Sequence, residues 1–127
     1  MIYSGTTKAK SGQDIPLFAS GRPMHSKYNP LGEAENFASS LNCSEEAFIV
    51  IEGIGAAFHI ASVRQKFPHA FILAVEADKE SLDYSKSFPK AKELLSSKRI
   101  IFCTAEDGSR LVRENYIPSL YGDCILV

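Results

Sequence analysis

Residues 47–59 read Ala47-Phe48-Ile49-Val50-Ile51-Glu52-Gly53-Ile54-Gly55-Ala56-Ala57-Phe58-His59. Ala47 to Ile51 form a short continuous apolar run, as expected for a strand covered on both faces. Gly53 and Gly55 let the backbone turn sharply, and Ala56 to Phe67 is expected as a helix ended by Pro68. A second apolar run, Ala70 to Val75, leads into Glu76-Ala77-Asp78. A helix follows over roughly Lys79 to Leu95, which Pro89 should kink or split. Arg99 to Cys103 reads as a third strand, Ser109 to Tyr116 as a third crossover helix, and Cys124 to Val127 as a fourth strand.

Strand and helix alternating at this spacing imply right-handed crossovers and a parallel sheet. The expected class is therefore α/β, a Rossmann-like (methyltransferase-like) three-layer parallel sheet. Its sheet is expected to be truncated, because the chain ends inside a bare hydrophobic strand. On that ground the chain is expected to be a piece of a longer protein.

Upstream, Thr6 to Ala9 and Ile15 to Phe18 flank the turn-like Ser11-Gly12-Gln13-Asp14, which predicts a β-hairpin. Asn29-Pro30 supplies an N-cap and a proline at the first helical position. Leu31, Ala34, Phe37, Ala38 and Leu41 then form an amphipathic stripe that Asn42 is expected to end. The chain accordingly divides into a hairpin and helix over 1–45 and a Rossmann-like unit over 46–127, together one compact unit.

A length of 127 residues suits one domain with a single core. Hydrophobic content of 45% with 23% charged residues excludes the disordered and fibrous classes. The net charge of −1 gives no electrostatic footprint for nucleic acid or an anionic membrane. No apolar run approaches the roughly 20 residues that span a bilayer. Met1-Ile2-Tyr3-Ser4 does not open a signal peptide, so a cytoplasmic location is the default expectation. Cys43, Cys103 and Cys124 fit neither a disulfide framework nor a zinc site. Cys103 and Cys124 lie in apolar runs and are expected to be core residues.

The chemistry-bearing signal is Glu52-Gly53-Ile54-Gly55-Ala56-Ala57. Glycines at such a turn bring a ligand close to the main chain, and the N–H groups opening the next helix favour an anion or polar group. Ala57 is read as replacing the third glycine that such glycine-rich turns often carry. Glu76, 23 residues beyond Gly53, is placed to accept hydrogen bonds from ribose hydroxyls. Asp78 competes for that role or caps the following helix. Asp107, after the third strand, is a candidate for contact with an adenine, or part of an ordinary turn. The candidate cofactor-binding set is thus Glu52, Gly53, Gly55, Ala57, Glu76 and Asp107, with the cofactor itself unidentified. His59 either meets a ligand in the crevice or is a partly buried helix histidine, and the second reading is preferred. His25 and His69 receive no catalytic role. No nucleophile elbow, paired-acid arrangement or phosphate loop with lysine and serine is visible.

Three segments, in order and spacing, resemble the motility accessory factor-like family. His25-Ser26-Lys27-Tyr28-Asn29-Pro30 with Glu33-Ala34-Glu35 looks like that family's linker-and-helix signature. Gly53 to His59 is similar to its glycine-rich segment, and Val75-Glu76-Ala77-Asp78 to the acidic strand end that follows. The resemblance spans about Arg22 to Asp78. It implies the N-terminal Rossmann-like domain of a larger protein, whose central domain is related to 6-hydroxymethylpterin pyrophosphokinase-like and sialyltransferase-like folds and is implicated in flagellin glycosylation. The transferase centre would then lie outside this chain, so no catalytic residue carries over, and Ala57 departs from the family's usual third glycine.

Three readings follow. The first is an accessory domain of such a glycosyltransferase, partnered by a C-terminal transferase domain or holding a nucleotide-type ligand. The second is an S-adenosylmethionine-dependent methyltransferase-like domain, with Glu52 and Gly53 to Ala57 at the methionine end, Glu76 at the ribose and Asp107 at the adenine. The third is a non-catalytic interaction module. A terminal unpaired strand would also suit a homodimer. Glu76 discriminates among them: open to the crevice it favours a ligand, and buried against a lysine or arginine it favours packing.

Overall fold

A computed structural model describes residues 1–118 and 120–127. The alternating pattern forms a four-stranded parallel sheet in the order β5-β4-β3-β6. A hairpin of β1 (Tyr3–Lys8) and β2 (Asp14–Phe18) stands apart as an antiparallel two-stranded sheet. The main sheet comprises β3 (Phe48–Glu52), β4 (Phe71–Glu76), β5 (Ile100–Thr104) and β6 (Cys124–Leu126). Helices α1 (Pro30–Ser40), α2 (Phe58–Lys66), α3 (Lys79–Lys86), α4 (Pro89–Leu95) and α5 (Ala105–Asn115) complete it. The chain is an α/β protein with a parallel sheet, in keeping with a Rossmann-like fold.

Local chemistry explains the boundaries. Asn29 caps α1 by accepting the Gly32 N–H at 3.0 Å, with Pro30 at the first helical position. Pro89 splits the long helical stretch: α3 ends at Lys86, and α4 begins on the proline, where a missing N–H leaves no helical bond unmade. The segment after β5 differs from expectation. Instead of a turn at Asp107 and a helix from Ser109, α5 starts at Ala105, with Glu106 and Asp107 in its first turn. Their charges complement the positive end of the helix dipole, which outweighs the turn propensity of Asp107-Gly108.

Strand periodicity sorts the core. Ile49, Ile51, Ile72 and Ala74 face one side and pack against Ala38 of α1, Ile60 and Val63 of α2, Leu82 of α3, and Ala91 and Leu94 of α4. Phe48, Phe71, Leu73, Val75 and Cys103 face the other, with Leu111 and Val112 of α5, Tyr116 and Tyr121 packed against them. Each fully buried aliphatic side chain contributes about 1.5–3 kcal/mol. A third cluster ties the hairpin to the helices: Ala9 and Ile15 meet Ala34, Ala56, Phe58 and Phe88. Cys103 is buried as expected, but Cys124 is exposed, because β6 is an edge strand. No helix among the described residues is long and apolar enough to cross a membrane.

Candidate functional site

The glycine turn sits where β3 ends, next to the place where strand order reverses between β4 on one side and β6 on the other. In parallel α/β sheets this is where ligands bind. Gly53 adopts φ +89°, Gly55 φ +53° and Ala57 φ +66°, so three left-handed residues fold the chain from strand into α2. A turn of this kind aims successive N–H groups at one point.

That point is occupied by Glu76. From the end of β4 its carboxylate, 2% exposed, accepts through Oε2 from the N–H of Ile54 and of Gly55, each at 3.1 Å. The same oxygen accepts from the Tyr3 hydroxyl at 2.7 Å and from Ser85 Oγ at 3.0 Å. Oε1 accepts from the Ala77 N–H at 3.1 Å. Every partner donates, and none is a lysine or arginine. Burial, with the Glu76 carboxylate next in weight, pushes the Tyr3 phenol well above its ordinary range.

The next amide along the turn is also taken. His25 Nε2 accepts the Ala56 N–H at 2.9 Å, which places the imidazole proton on Nδ1. Burial, with the neighbouring His59 second, depresses His25 to a pKa of about 3. His25 stacks edge-on against Phe58, with centroids 5.2 Å apart. Met24 and His25 press on the turn itself. A Cβ on Gly55 would lie 2.6 Å from both His25 Nε2 and Met24 Cγ, and one on Gly53 would lie 3.1 Å from Met24 Cε. The two glycines thus make room for this chain's own Met24-His25 segment.

His59 is the second residue of α2, partly buried, with Nε2 2.7 Å from the Gly53 carbonyl, to which it donates. Its Nδ1 is buried without a partner among the described residues. Burial lowers its pKa, while the Gly53 carbonyl works in the opposite sense. A cavity of about 320 Å³ opens beside the turn, lined by Met24, His25, Glu33, Phe37, Glu52 and His59.

The structure therefore brings together Gly53, Gly55 and Glu76 of the sequence-predicted set. Glu52 is exposed at the cavity wall. Ala57 is fully buried, and its methyl group belongs to the main core rather than to the crevice floor. Asp107 lies on the exposed first turn of α5, paired with Arg110 at 3.4 Å, and bonds to neither Glu76 nor the glycine turn. Asp78 takes its capping role, accepting the Ser81 N–H at 2.8 Å. Tyr3 and His25 belong to the site and were not expected there. No local pattern marks Tyr3. His25 had one signal, its place in the first of the three segments carrying the family resemblance, and those segments now prove to be in contact.

No group of three or more metal-binding side chains occurs among the described residues. No protein-family model matches the chain. A protein of Treponema pallidum (strain Nichols), described as an uncharacterized protein, is 53% identical to the chain over 34 residues, 27% of this chain and 39% of that protein. The match thus spans well under half of either chain.

Proposed function

We propose that the chain is a non-catalytic accessory unit of a motility accessory factor-like glycosyltransferase, one whose glycine turn serves as an internal clasp. The observation that carries this reading is the Glu76 carboxylate. Its Oε2 already holds four donors, two of them the turn amides that a cofactor would otherwise need. The Ala56 amide is held by His25. A polar group from outside would have to displace bonds the protein already makes, and leaving Glu76 buried without them is costly. The resemblance supports the same reading, because His25, the glycine turn and Glu76 come from its three segments and meet in one hydrogen-bonded cluster.

A second reading, the S-adenosylmethionine-dependent methyltransferase-like domain, draws support from the reversal of strand order at β3 and the cavity beside it. It requires Glu76 to turn outward and release Tyr3. Calorimetric titration with S-adenosylmethionine, S-adenosylhomocysteine and CMP-activated sugars separates the two. The accessory reading expects no saturable heat from any of them in the folded chain. Micromolar binding of an adenosyl ligand that is lost in Glu76→Ala would install the methyltransferase-like reading instead.

A further inference from the structure

The hairpin and the loop before α1 enclose a second cleft, of about 550 Å³, which shares no lining residue with the cavity at the glycine turn. Lys8, Lys10, Lys27 and Tyr28 line it together with the apolar Leu17 and Pro23, and no aspartate or glutamate does so among the described residues. In a chain of net charge −1 this is a local excess of cations. Lys8 is engaged, 3.0 Å from Asp14. Among the described residues Lys10 and Lys27 pair with no carboxylate. Their ammonium groups sit 5.6 and 5.4 Å from the centroid of the same Tyr28 ring. The Tyr28 side chain is exposed, and its hydroxyl makes no hydrogen bond within the described protein.

The two walls are fixed to each other by main-chain bonds. Lys10 N–H donates to the Lys27 carbonyl at 2.8 Å, and Ser11 N–H to the Tyr28 carbonyl at 3.2 Å. Met24 N–H donates to the Pro16 carbonyl at 2.9 Å, closing the loop onto β2. The two ammonium groups and the phenol are therefore presented by a braced backbone, which lowers the ordering cost of binding. Ammonium groups and a hydroxyl are donors without a built-in acceptor partner here, and phosphate oxygens are the matching chemistry. Two unpaired lysines are too few for a nucleic-acid track. The volume is that of an ordinary small-molecule site.

We propose that this cleft binds a phosphate-bearing small molecule, with Lys10, Lys27 and the Tyr28 hydroxyl holding the phosphate and Leu17 and Pro23 meeting the apolar side of the ligand. The proposal does not depend on the function assigned to the glycine turn. Its test is an amide-resolved NMR titration of the whole chain with inorganic pyrophosphate at about 150 mM salt, where diffuse surface attraction is largely screened. Saturable shifts at Lys10, Ser11, Lys27 and Tyr28, with a dissociation constant of about 1 mM or tighter, are expected. Lys10→Gln combined with Lys27→Gln should weaken binding about tenfold, while Arg110→Gln leaves it unchanged. All three side chains lie on the surface, so the variants keep the fold, checked by their unperturbed core amides. Absence of saturation, binding that vanishes between low and physiological salt, or equal affinity in the double variant overturns the proposal. Binding to phosphatidylserine vesicles without binding to pyrophosphate also overturns it, in favour of a membrane surface.

Discussion

The carboxylate of Glu76, at the end of β4, accepts the backbone N–H of Gly55 at 3.1 Å, so the acid and the glycine that the sequence marks for a nucleotide are bonded to each other. Tyr3 closes the arrangement from the first strand of the chain, 73 residues away in sequence. The hairpin is thereby fastened to the sheet at the mouth where an α/β protein ordinarily receives a ligand.

Two small residues of the turn, Gly55 and Ala57, should respond very differently to substitution. Gly55→Ala puts a methyl group 2.6 Å from His25 Nε2 and Met24 Cγ, in a left-handed conformation. It should cost about 3 kcal/mol or more and expel the Met24-His25 segment. Ala57→Gly relieves a left-handed alanine at φ +66° but removes a buried methyl group. Those effects are each about 1 kcal/mol and opposed, so urea denaturation should show little net change.

Tyr3→Phe isolates the hydroxyl. The ring keeps its stacking on Phe18, with centroids 5.5 Å apart, while Glu76 loses its shortest bond. A loss of about 1–2 kcal/mol is expected in urea denaturation. A variant as stable as the parent would detach Tyr3 from the clasp.

Acid should loosen the fold before carboxylates titrate. His25 has a folded pKa of about 3 against 6.5 when unfolded, so between those values the unfolded chain binds the extra proton. Stability is fully present above pH 6.5 and falls as pH drops below it, by about 1.4 kcal/mol per pH unit for one such histidine. The lowered pKa of His59 acts in the same direction. Thermal melts at pH 7.5 and pH 5 should differ accordingly. His25→Gln, which keeps an acceptor for Ala56 without a titrating proton, should flatten the dependence.

Much of this architecture is legible in the sequence, and the reasons are local. The apolar runs 47–51 and 70–75, the cap at Asn29-Pro30 and the break at Pro89 each carry their own signal, and the elements fall where those signals lie to within a residue or two. Asp107 was harder, because a turn-forming pair and a favourable first helical turn use the same residues. Cys124 sits in an apolar run, yet its exposure follows from sheet order, which periodicity does not encode. The site was half legible. Gly53, Gly55 and Glu76 are marked by spacing, but the bonds of Tyr3 and His25 span 73 and 31 residues, and no short-range pattern records such contacts.

Glu76→Gln is the sharpest probe of Glu76 as a structural clasp. The substitution preserves shape but replaces one acceptor oxygen with an NH₂ group, in a site where every partner donates. Equilibrium urea denaturation should show a loss of about 2 kcal/mol relative to the parent chain, with an unchanged slope. An unchanged midpoint would contradict the clasp and return Glu76 to the role of a carboxylate kept for a ligand.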